Sequence, residues 1–354
     1  MEHILAINPG ATSTKIALFQ GETLCFKETV EHKEEDLAHF ATVFSQHGYR
    51  LKLIVDILEQ NGFSLEQLQA VVARGGLLKP LLGGTYAVNE AMLADLQLAQ
   101  RGEHASNLGA AMAQDLAEKL GIPAYIVDPV SVDELEPVAR ISGLAELPRV
   151  SLSHALNSKA VGRKVASLLG KEYGEVRLIV AHLGTGVSVS AQRYGRTIDV
   201  NNAMDEGPFS PDRCGTLPAN QLVRLCYSGR YSEAEMRAKV TRQGGMYSYL
   251  GTKDVRDAQK MAEAGDAQAK LVLEAMPYQV AKDIGAMAAV LEGQVDAIAL
   301  TGGIAYSETI VADIRRRVEF IAPIYVVPGE EELESLALGA LRVLRGEEEA
   351  RRYE

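Results

Sequence analysis

Three stretches of this sequence carry residue types that can grip an anion. Asn8, Gly10, Thr12, Ser13, Thr14 and Lys15 lie in the first; His182, Gly184, Thr185 and Gly186 in the second; Thr301-Gly302-Gly303-Ile304-Ala305 is the third. A turn rich in Gly, Ser and Thr offers backbone N–H groups at close range together with hydroxyl donors. That makes a nest for phosphate oxygens, to which Lys15 adds a charge. In the third stretch a Gly pair follows an apolar run, which lets a flat ring approach the backbone closely. Singly, each of the first two is also an ordinary tight hairpin. Neither follows the Gly-x-x-x-x-Gly-Lys-Ser/Thr spacing of P-loops or the Gly-x-Gly-x-x-Gly of dinucleotide folds.

The flanking elements give the turns their meaning. Apolar runs at Ile4–Ile7, Ile16–Phe19 and Leu24–Val30 predict three strands, the first two joined by the first turn. Helical periodicity follows from Glu35 to Gly62, then a short strand Ala70–Ala73 that ends at Arg74-Gly75-Gly76. Helices are predicted at Glu90–Arg101 and Asn107–Gly121, and a strand at Ala124–Val127 that stops at Asp128-Pro129. A similar series starts near residue 150: a helix His154–Leu169, strands Val176–His182 and Val187–Gln192 around the second turn, and helices through much of 217–291. The strand Ala297–Leu300 enters the third turn, Ile324–Val327 is another strand, and the last helix begins near Glu331 before a charged tail. Strand, small-residue turn and strand thus occur twice, as in two versions of one mixed α/β unit. No Pro/Ser-rich linker separates the halves, so they are expected to pack around a shared cleft.

Composition narrows the function classes. The chain has 354 residues with 36 Lys+Arg against 47 Asp+Glu, a net charge of −11. That balance disfavours broad nucleic-acid binding, although a few placed Arg and His residues can still hold a single anion. Cys25, Cys214 and Cys226 form no Cys-x-x-Cys pair, so no disulfide framework or zinc ribbon is indicated. The start, Met1 to Ile7, has no basic flank or cleavage site, and no apolar stretch reaches bilayer-spanning length. The expected location is the cytoplasm, without a membrane partner.

The order Asn-Pro-Gly-Ala-Thr-Ser-Thr-Lys, His-Leu-Gly-Thr-Gly, Thr-Gly-Gly-Ile-Ala resembles the acetate kinase (acetokinase) family of the acetate and sugar kinase/actin/heat-shock chaperone superfamily. Within it the chain is similar to the butyrate kinase branch. Ala73-Arg74-Gly75-Gly76-Leu77-Leu78, Gly83-Gly84-Thr85-Tyr86, Gly102-Glu103-His104-Ala105-Ser106-Asn107-Leu108-Gly109 and His154-Ala155-Leu156-Asn157 extend the resemblance over nearly the whole chain. It implies an α/β fold of two duplicated actin-like (ribonuclease H-like) domains with a nucleotide cleft between them. The domains are drawn at 1–148, with a C-terminal helix about 335–354 packing back on it, and 149–334. It further implies phosphoryl transfer between ATP and a short-chain carboxylate, with ATP/ADP as co-substrate, Mg2+, and a homo-oligomer of at least two subunits. A sugar kinase or an ATP-driven conformational protein of the same superfamily are the rivals.

By the same resemblance the Asn8–Lys15 and His182–Gly186 turns hold phosphates, and Gly302, Gly303 and Ile304 lie along adenosine. Transfer needs positive charge on a carboxylate and on the moving phosphoryl's equatorial oxygens. Arg74 ends a buried strand; the plain alternative is a surface Arg. Arg213, in Phe209-Ser210-Pro211-Asp212-Arg213-Cys214-Gly215, matches a transfer-site loop, where otherwise Asp212-Arg213 would be a local pair. His104 matches a transfer-site His, against a reading as a helix start capped by Ser106 or Asn107. His182 closes a strand before the second turn. His154 follows Ser153 where an aromatic is expected, and is read as packing. Asp128 suits a magnesium–water contact, with Asn8 and one of Glu331, Glu332 and Glu334, Glu332 preferred, completing the metal set; the rival for the glutamates is helix-dipole stabilisation. Gly75 and Gly76 are expected to leave room for an acyl tail longer than acetate's.

Overall fold

The computed structural model describes residues 2–354. Its strands are β1 (His3–Pro9), β2 (Ser13–Gln20), β3 (Thr23–Glu31), β4 (Ala70–Arg74), β5 (Thr85–Ala87), β6 (Ala124–Val127), β7 (Arg177–Leu183), β8 (Val187–Arg193), β9 (Arg196–Val200), β10 (Ala297–Gly302), β11 (Ile324–Pro328) and β12 (Arg351–Arg352). Among the described residues they form a seven-stranded sheet, β12-β5-β6-β4-β1-β2-β3, and a five-stranded sheet, β11-β10-β7-β8-β9. Reading β6-β4-β1-β2-β3 against β11-β10-β7-β8-β9 shows one plan used twice. An antiparallel meander is extended on one side by two parallel strands. The repeated α/β unit expected from the two turns is present.

The chain clusters into two compact units: one ends at Val132 and is rejoined by Glu331–Glu354, and the other is Asp133–Glu330. The segment 133–148, grouped with the first half from sequence, is bonded within the second unit. Glu136 N–H donates to the Ile198 carbonyl at 3.0 Å, and the Lys159 ammonium lies 2.8 Å from the Glu134 carboxylate.

In the first unit the sheet is apolar on both faces, as parallel strands between helices must be. Leu5, Ile7, Val71 and Ala73 meet Leu108, Met112 and Leu116 of helix Asn107–Leu120. Helix Glu332–Leu344 lies against β1, β4 and β6, with Gly339 standing over Val127. In the second unit Ile179, Ala181, Val189 and Leu300 share a core with Met276, Val280 and Ile284 of helix Ala267–Val290. The opposite face, Leu178, Val180 and Ala299, packs on Val161 and Val165 of helix Ala155–Leu168.

Three expectations are corrected. The periodic stretch from Glu35 to Gly62 is two helices, Glu34–Leu37 and His47–Gln60. Between them Thr42 and Ser45 exchange side-chain-to-backbone bonds at 3.2 Å, a local alternative to helical pairing. β5 and β9 escaped a search for apolar runs because they are short and carry polar residues such as Thr85, Arg196 and Asp199. The last helix ends at Leu344, and the charged tail supplies β12, parallel to β5.

Close backbone approach gives a stability test. A Cβ on Gly109 would lie 2.3 Å from the Arg74 carbonyl oxygen and 3.1 Å from Ala73 Cβ, so the helix sits on β4 through a position that admits only hydrogen. Gly109→Ala is expected to destabilise the first unit by about 1–3 kcal/mol, read as an earlier urea midpoint. Gly285→Ala, in a helix with open space at that position, is expected to be neutral or slightly stabilising. An unchanged midpoint for Gly109→Ala contradicts the close approach.

Candidate active site

In the first unit the polar candidates stand at the C-terminal ends of β1, β4 and β6. Asn8, 5% exposed, ends β1 and its amide donates to the Glu332 carboxylate. Arg74, at the end of β4, places Nη1 3.2 Å from Glu332 Oε1. Glu332 is half-buried whereas Glu331 and Glu334 are exposed, so it alone of the three turns toward Asn8 and Arg74. Asp128 follows β6 at φ 38°, a strained setting for a residue with a Cβ. Its N–H donates to the Gly84 carbonyl at 3.1 Å and its Oδ1 accepts the Gly84 N–H at 2.7 Å.

His104 is fixed by Ser106. The Ser106 N–H donates to His104 Nδ1 at 3.2 Å, and the Ser106 hydroxyl lies 2.7 Å from the same nitrogen. Because Nδ1 accepts, Nε2 carries the proton of the neutral ring. Burial lowers the His104 pKa, and the nearby Arg74 guanidinium lowers it further, so a neutral N–H donor is favoured beside a cation. Ser106 therefore serves the histidine: its side chain caps no helix N–H.

The first turn divides its side chains between two faces. Asn8 and Lys15 are cross-strand partners on one face. Thr14 points to the other, where its hydroxyl lies 2.8 Å from His32 Nε2 and accepts from Arg50 Nη1 at 3.2 Å. The hydroxyl expected to meet phosphate at Thr14 is thus committed to the protein interior, and only its backbone remains for that role. Ala11 and Thr12 are exposed at the tip.

Gly75 and Gly76 leave no room for an acyl tail. A Cβ on Gly75 would meet Pro129 at 2.6 Å, and one on Gly76 would meet Asn107 Oδ1 at 2.4 Å, so protein atoms fill that space. Asn107 uses this proximity to accept the Leu77 N–H at 3.0 Å. These glycines serve packing.

In the second unit the second turn gathers three further side chains. His182, 1% exposed, lies 2.7 Å through Nδ1 from Asn157 Oδ1 and 3.0 Å through Nε2 from Glu330 Oε1. His154 stacks on it, ring centroids 3.9 Å apart and 14° from parallel. The His154 Nδ1 lies 2.9 Å from the Ser188 hydroxyl. Arg213 lies over Gly186: a Cβ there would be 2.3 Å from Nη1 and 3.2 Å from His154 Cε1. Its loop is tied to the turn by the Ser210 hydroxyl, which donates to the Thr185 carbonyl. Burial pushes the Arg213 pKa down while Asp212 opposes, and a guanidinium stays charged under either influence.

The third turn borders a cavity of about 950 Å3 lined by Gly184, Thr185, Gly303, Ile304, Tyr306 and Glu330 among others, where Lys253 is paired with Asp212 and Arg256 with Asp254. Gly303 has open space at its Cβ position. Gly302 is required for another reason: at φ 88° its Cβ would lie 2.4 Å from the Leu183 carbonyl oxygen, where β10 closes on β7. Of the adenosine triplet, Gly303 and Ile304 line the space and Gly302 shapes the strand end.

The structure therefore brings Asn8, Arg74 and Glu332 together in one unit, and His182, Gly186 and Arg213 together in the other. Sequence reasoning set His154 aside and missed Asn157 and Glu330. Asn157 had a signal: three residues after His154 at a helix start, it shares a face with it. Glu330 had none within a run of three glutamates. For a hard cation, the Glu332 carboxylate is the oxygen donor at the end of β1, with Asn8 touching it through its amide nitrogen and so bringing an uncharged amide beside it. One carboxylate and neutral oxygens are the sparse set magnesium takes when phosphates complete its shell. The residues fit that group. Among the described residues no three His, Cys, Asp or Glu side chains cluster as a metal site.

The sequence profile of the acetokinase family matches residues 151–326. Butyrate kinase 2 of Clostridium acetobutylicum is 52% identical over 351 residues, covering 99% of each chain. Among solved structures, acetate kinase of Porphyromonas gingivalis superposes with a TM-score of 0.81 at 19% identity, over 97% of this chain and 100% of its own. A propionate kinase from Francisella tularensis does so with a TM-score of 0.78 at 20% identity, over 95% and 98%. The structural likenesses share the duplicated two-sheet fold, and with full-length identity above half, the chain belongs to the acetokinase family.

Proposed function

We propose that this chain moves a phosphoryl group reversibly between ATP and a short-chain carboxylate, butyrate or a branched relative such as isobutyrate, giving an acyl phosphate and ADP. The observation that carries the reading is the 52% identity with a butyrate kinase along the whole length. A sugar kinase or an ATP-driven conformational protein is not favoured by it.

The chemistry asks little of a base. A carboxylic acid has a pKa close to that of a Glu side chain, about 4.3, so the acceptor is already an ionised nucleophile at neutral pH. What remains is positioning and charge for direct in-line transfer. In this reading the Asn8–Lys15 and His182–Gly186 turns hold phosphates through backbone N–H groups, and the cavity at Gly303 and Ile304 takes adenosine. Arg213 and Arg74 act on the equatorial oxygens and the carboxylate, since a guanidinium fork offers two parallel donors. His104 donates from Nε2–H as a neutral ring, His182 stands beside the second turn, and Asp128 orients. Mg2+, held by Asn8 and Glu332 with Asp128 through water, would neutralise phosphate charge. The two-domain division, a cytoplasmic location and a homo-oligomer of at least two subunits belong to the same proposal. A coupled assay with butyrate, isobutyrate, acetate and hexoses, read against the rate without acceptor, tests it: turnover only with hexose, or equal turnover without acceptor, overturns it.

Arg213→Ala is expected to leave the fold intact, by circular dichroism, and to lower kcat by roughly 10³ or more, the scale of a transition-state arginine. Near-normal turnover in the folded variant removes Arg213 from the transfer site.

Chain-length preference is expected to follow apolar transfer. Each buried methylene contributes about 0.8 kcal/mol, about fourfold in kcat/KM. Butyrate should then exceed acetate by on the order of fifteen-fold, with acetate still reacting at high concentration. Equal kcat/KM for the two acids removes the specificity claim and leaves the carboxylate kinase.

A further inference from the structure

Arg50 is 1% exposed and has no carboxylate among its hydrogen-bond partners. It rises from helix His47–Gln60 beneath the first turn and spends its guanidinium on the turn's own backbone. Nη1 donates to the Gly10 carbonyl at 2.7 Å and the Ser13 carbonyl at 3.3 Å, and Nη2 to the Ala11 carbonyl at 3.1 Å. Gln46 Oε1 accepts from Nε at 3.1 Å and from Nη2 at 2.7 Å, fixing the fork from the other side. The Thr12 carbonyl is taken by the His32 N–H at 2.8 Å. Three consecutive carbonyls, those of Gly10, Ala11 and Thr12, are thereby claimed by donors that do not belong to the turn, and the Ser13 carbonyl shares Arg50 with the turn's own Gly10 N–H, which donates to it at 2.7 Å.

A trans peptide points its C=O and the following N–H in opposite directions. Drawing the Gly10, Ala11 and Ser13 carbonyls toward Arg50 therefore turns the N–H groups of Ala11, Thr12 and Thr14 away from it. Ala11 and Thr12, at the exposed tip, then present their N–H groups outward. A guanidinium also brings a full positive charge that nothing anionic in its bonding shell cancels, one turn-thickness behind the surface those N–H groups face. We propose that Arg50 is the positioning residue of the first turn: it sets the N–H groups for phosphate and supplies them with a buried cation, so that it governs affinity for the polyphosphate of the nucleotide. This rests on the reading of the first turn as a phosphate holder.

The neighbours fit such a role. The pKa of His32, bonded to Thr14, is lowered to about 4 by burial and by Arg50, while Asp36 opposes weakly. Near neutrality the ring is uncharged, so it adds no second cation to the buried site. Lysine cannot replace the fork: one ammonium has three donors on a point, too few and too compact to span three carbonyls and Gln46.

The test uses the full chain and equilibrium binding of ATP, ADP and adenosine, with steady-state KM for butyrate beside it. Arg50→Lys is expected to weaken ATP and ADP roughly tenfold, and Arg50→Met more, on the scale of lost charge-assisted hydrogen bonds. Adenosine affinity and the butyrate KM should stay within about twofold, a split that general loosening of the fold would not produce. Thr12→Asp, which puts a negative charge at the exposed tip, is the companion variant. If Thr12→Asp weakens ATP but folded Arg50→Lys binds it like the parent, the positioning role is overturned and the turn's reading stands. If Thr12→Asp leaves ATP affinity unchanged, the turn holds no phosphate and both fall. Should Arg50→Met not fold, Arg50→Lys alone decides.

Discussion

One carboxylate ties the first unit's polar residues into a site. Glu332 receives the Asn8 amide and lies 3.2 Å from the Arg74 guanidinium, joining the ends of β1 and β4 to the start of a helix more than 250 residues later in sequence. Each partner limits the others. Arg74 is half-buried, where an unpaired guanidinium would be costly, and Glu332 neutralises it. Asn8 adds no charge, so the pair stays balanced. The arrangement exists only because the chain returns to its first unit at Glu331, and Gly339 allows that returning helix to sit on Val127.

The two units solve the same problem with different side chains. Both join an antiparallel strand pair by a small-residue turn at the same place in the sheet order. In the first, support comes from below, through Arg50 and its bonds to backbone carbonyls. Each turn is closed by a bond of its own, Gly10 N–H to the Ser13 carbonyl at 2.7 Å and Gly184 N–H to the Gly186 carbonyl at 3.1 Å. The second, however, is steadied by the Ser210 hydroxyl on its Thr185 carbonyl and surrounded by a stacked histidine pair and Arg213. A stack at 3.9 Å holds both rings flat, so their edge nitrogens are set by Ser188 and Asn157 rather than by rotamer freedom.

The fold was legible in sequence where elements are long and buried on both faces. β1, β4, β7 and β10 are apolar runs closed by turn residues, and the repeat of strand, turn and strand exposed the duplication. Short half-polar elements such as β5 and β9 gave no run to find. Of the site, the turns, Arg74 and His182 could be named because they stand beside glycines or strand ends, and His104 and Arg213 because their motifs resemble those of the acetokinase family. Arg50 could not: one arginine in a periodic helix reads as a solvated face, and only the tertiary path shows three carbonyls converging on it. Gly75, Gly76 and Gly302 misled in the same way. A glycine marks a close approach, but the sequence does not say whether ligand or protein approaches, and here Pro129, Asn107 and Leu183 occupy the space.

A net charge of −11 sits uneasily with a chain that handles nucleotide and carboxylate, until distance and screening are counted. Exposed carboxylates act through water and salt, and their influence fades over about 8–10 Å. Arg50 and Arg213 lie at buried and half-buried positions, where the effective dielectric is lower and each charge counts several times more. The Arg213 guanidinium is bonded by one backbone carbonyl, the Ala203 oxygen accepting at 3.3 Å, and Asp212 acts on it through space without a direct bond. Holding a cation by neutral dipoles leaves its charge available to an arriving anion, whereas an ion pair would spend it beforehand. Arg74, by contrast, is paired with Glu332 through Nη1, so in the proposed reading it meets an anion with the donors that this pair leaves over. The acidic surface then costs little at either turn, where the local field is set by a guanidinium placed so that solvent screens it less than it does the surface carboxylates.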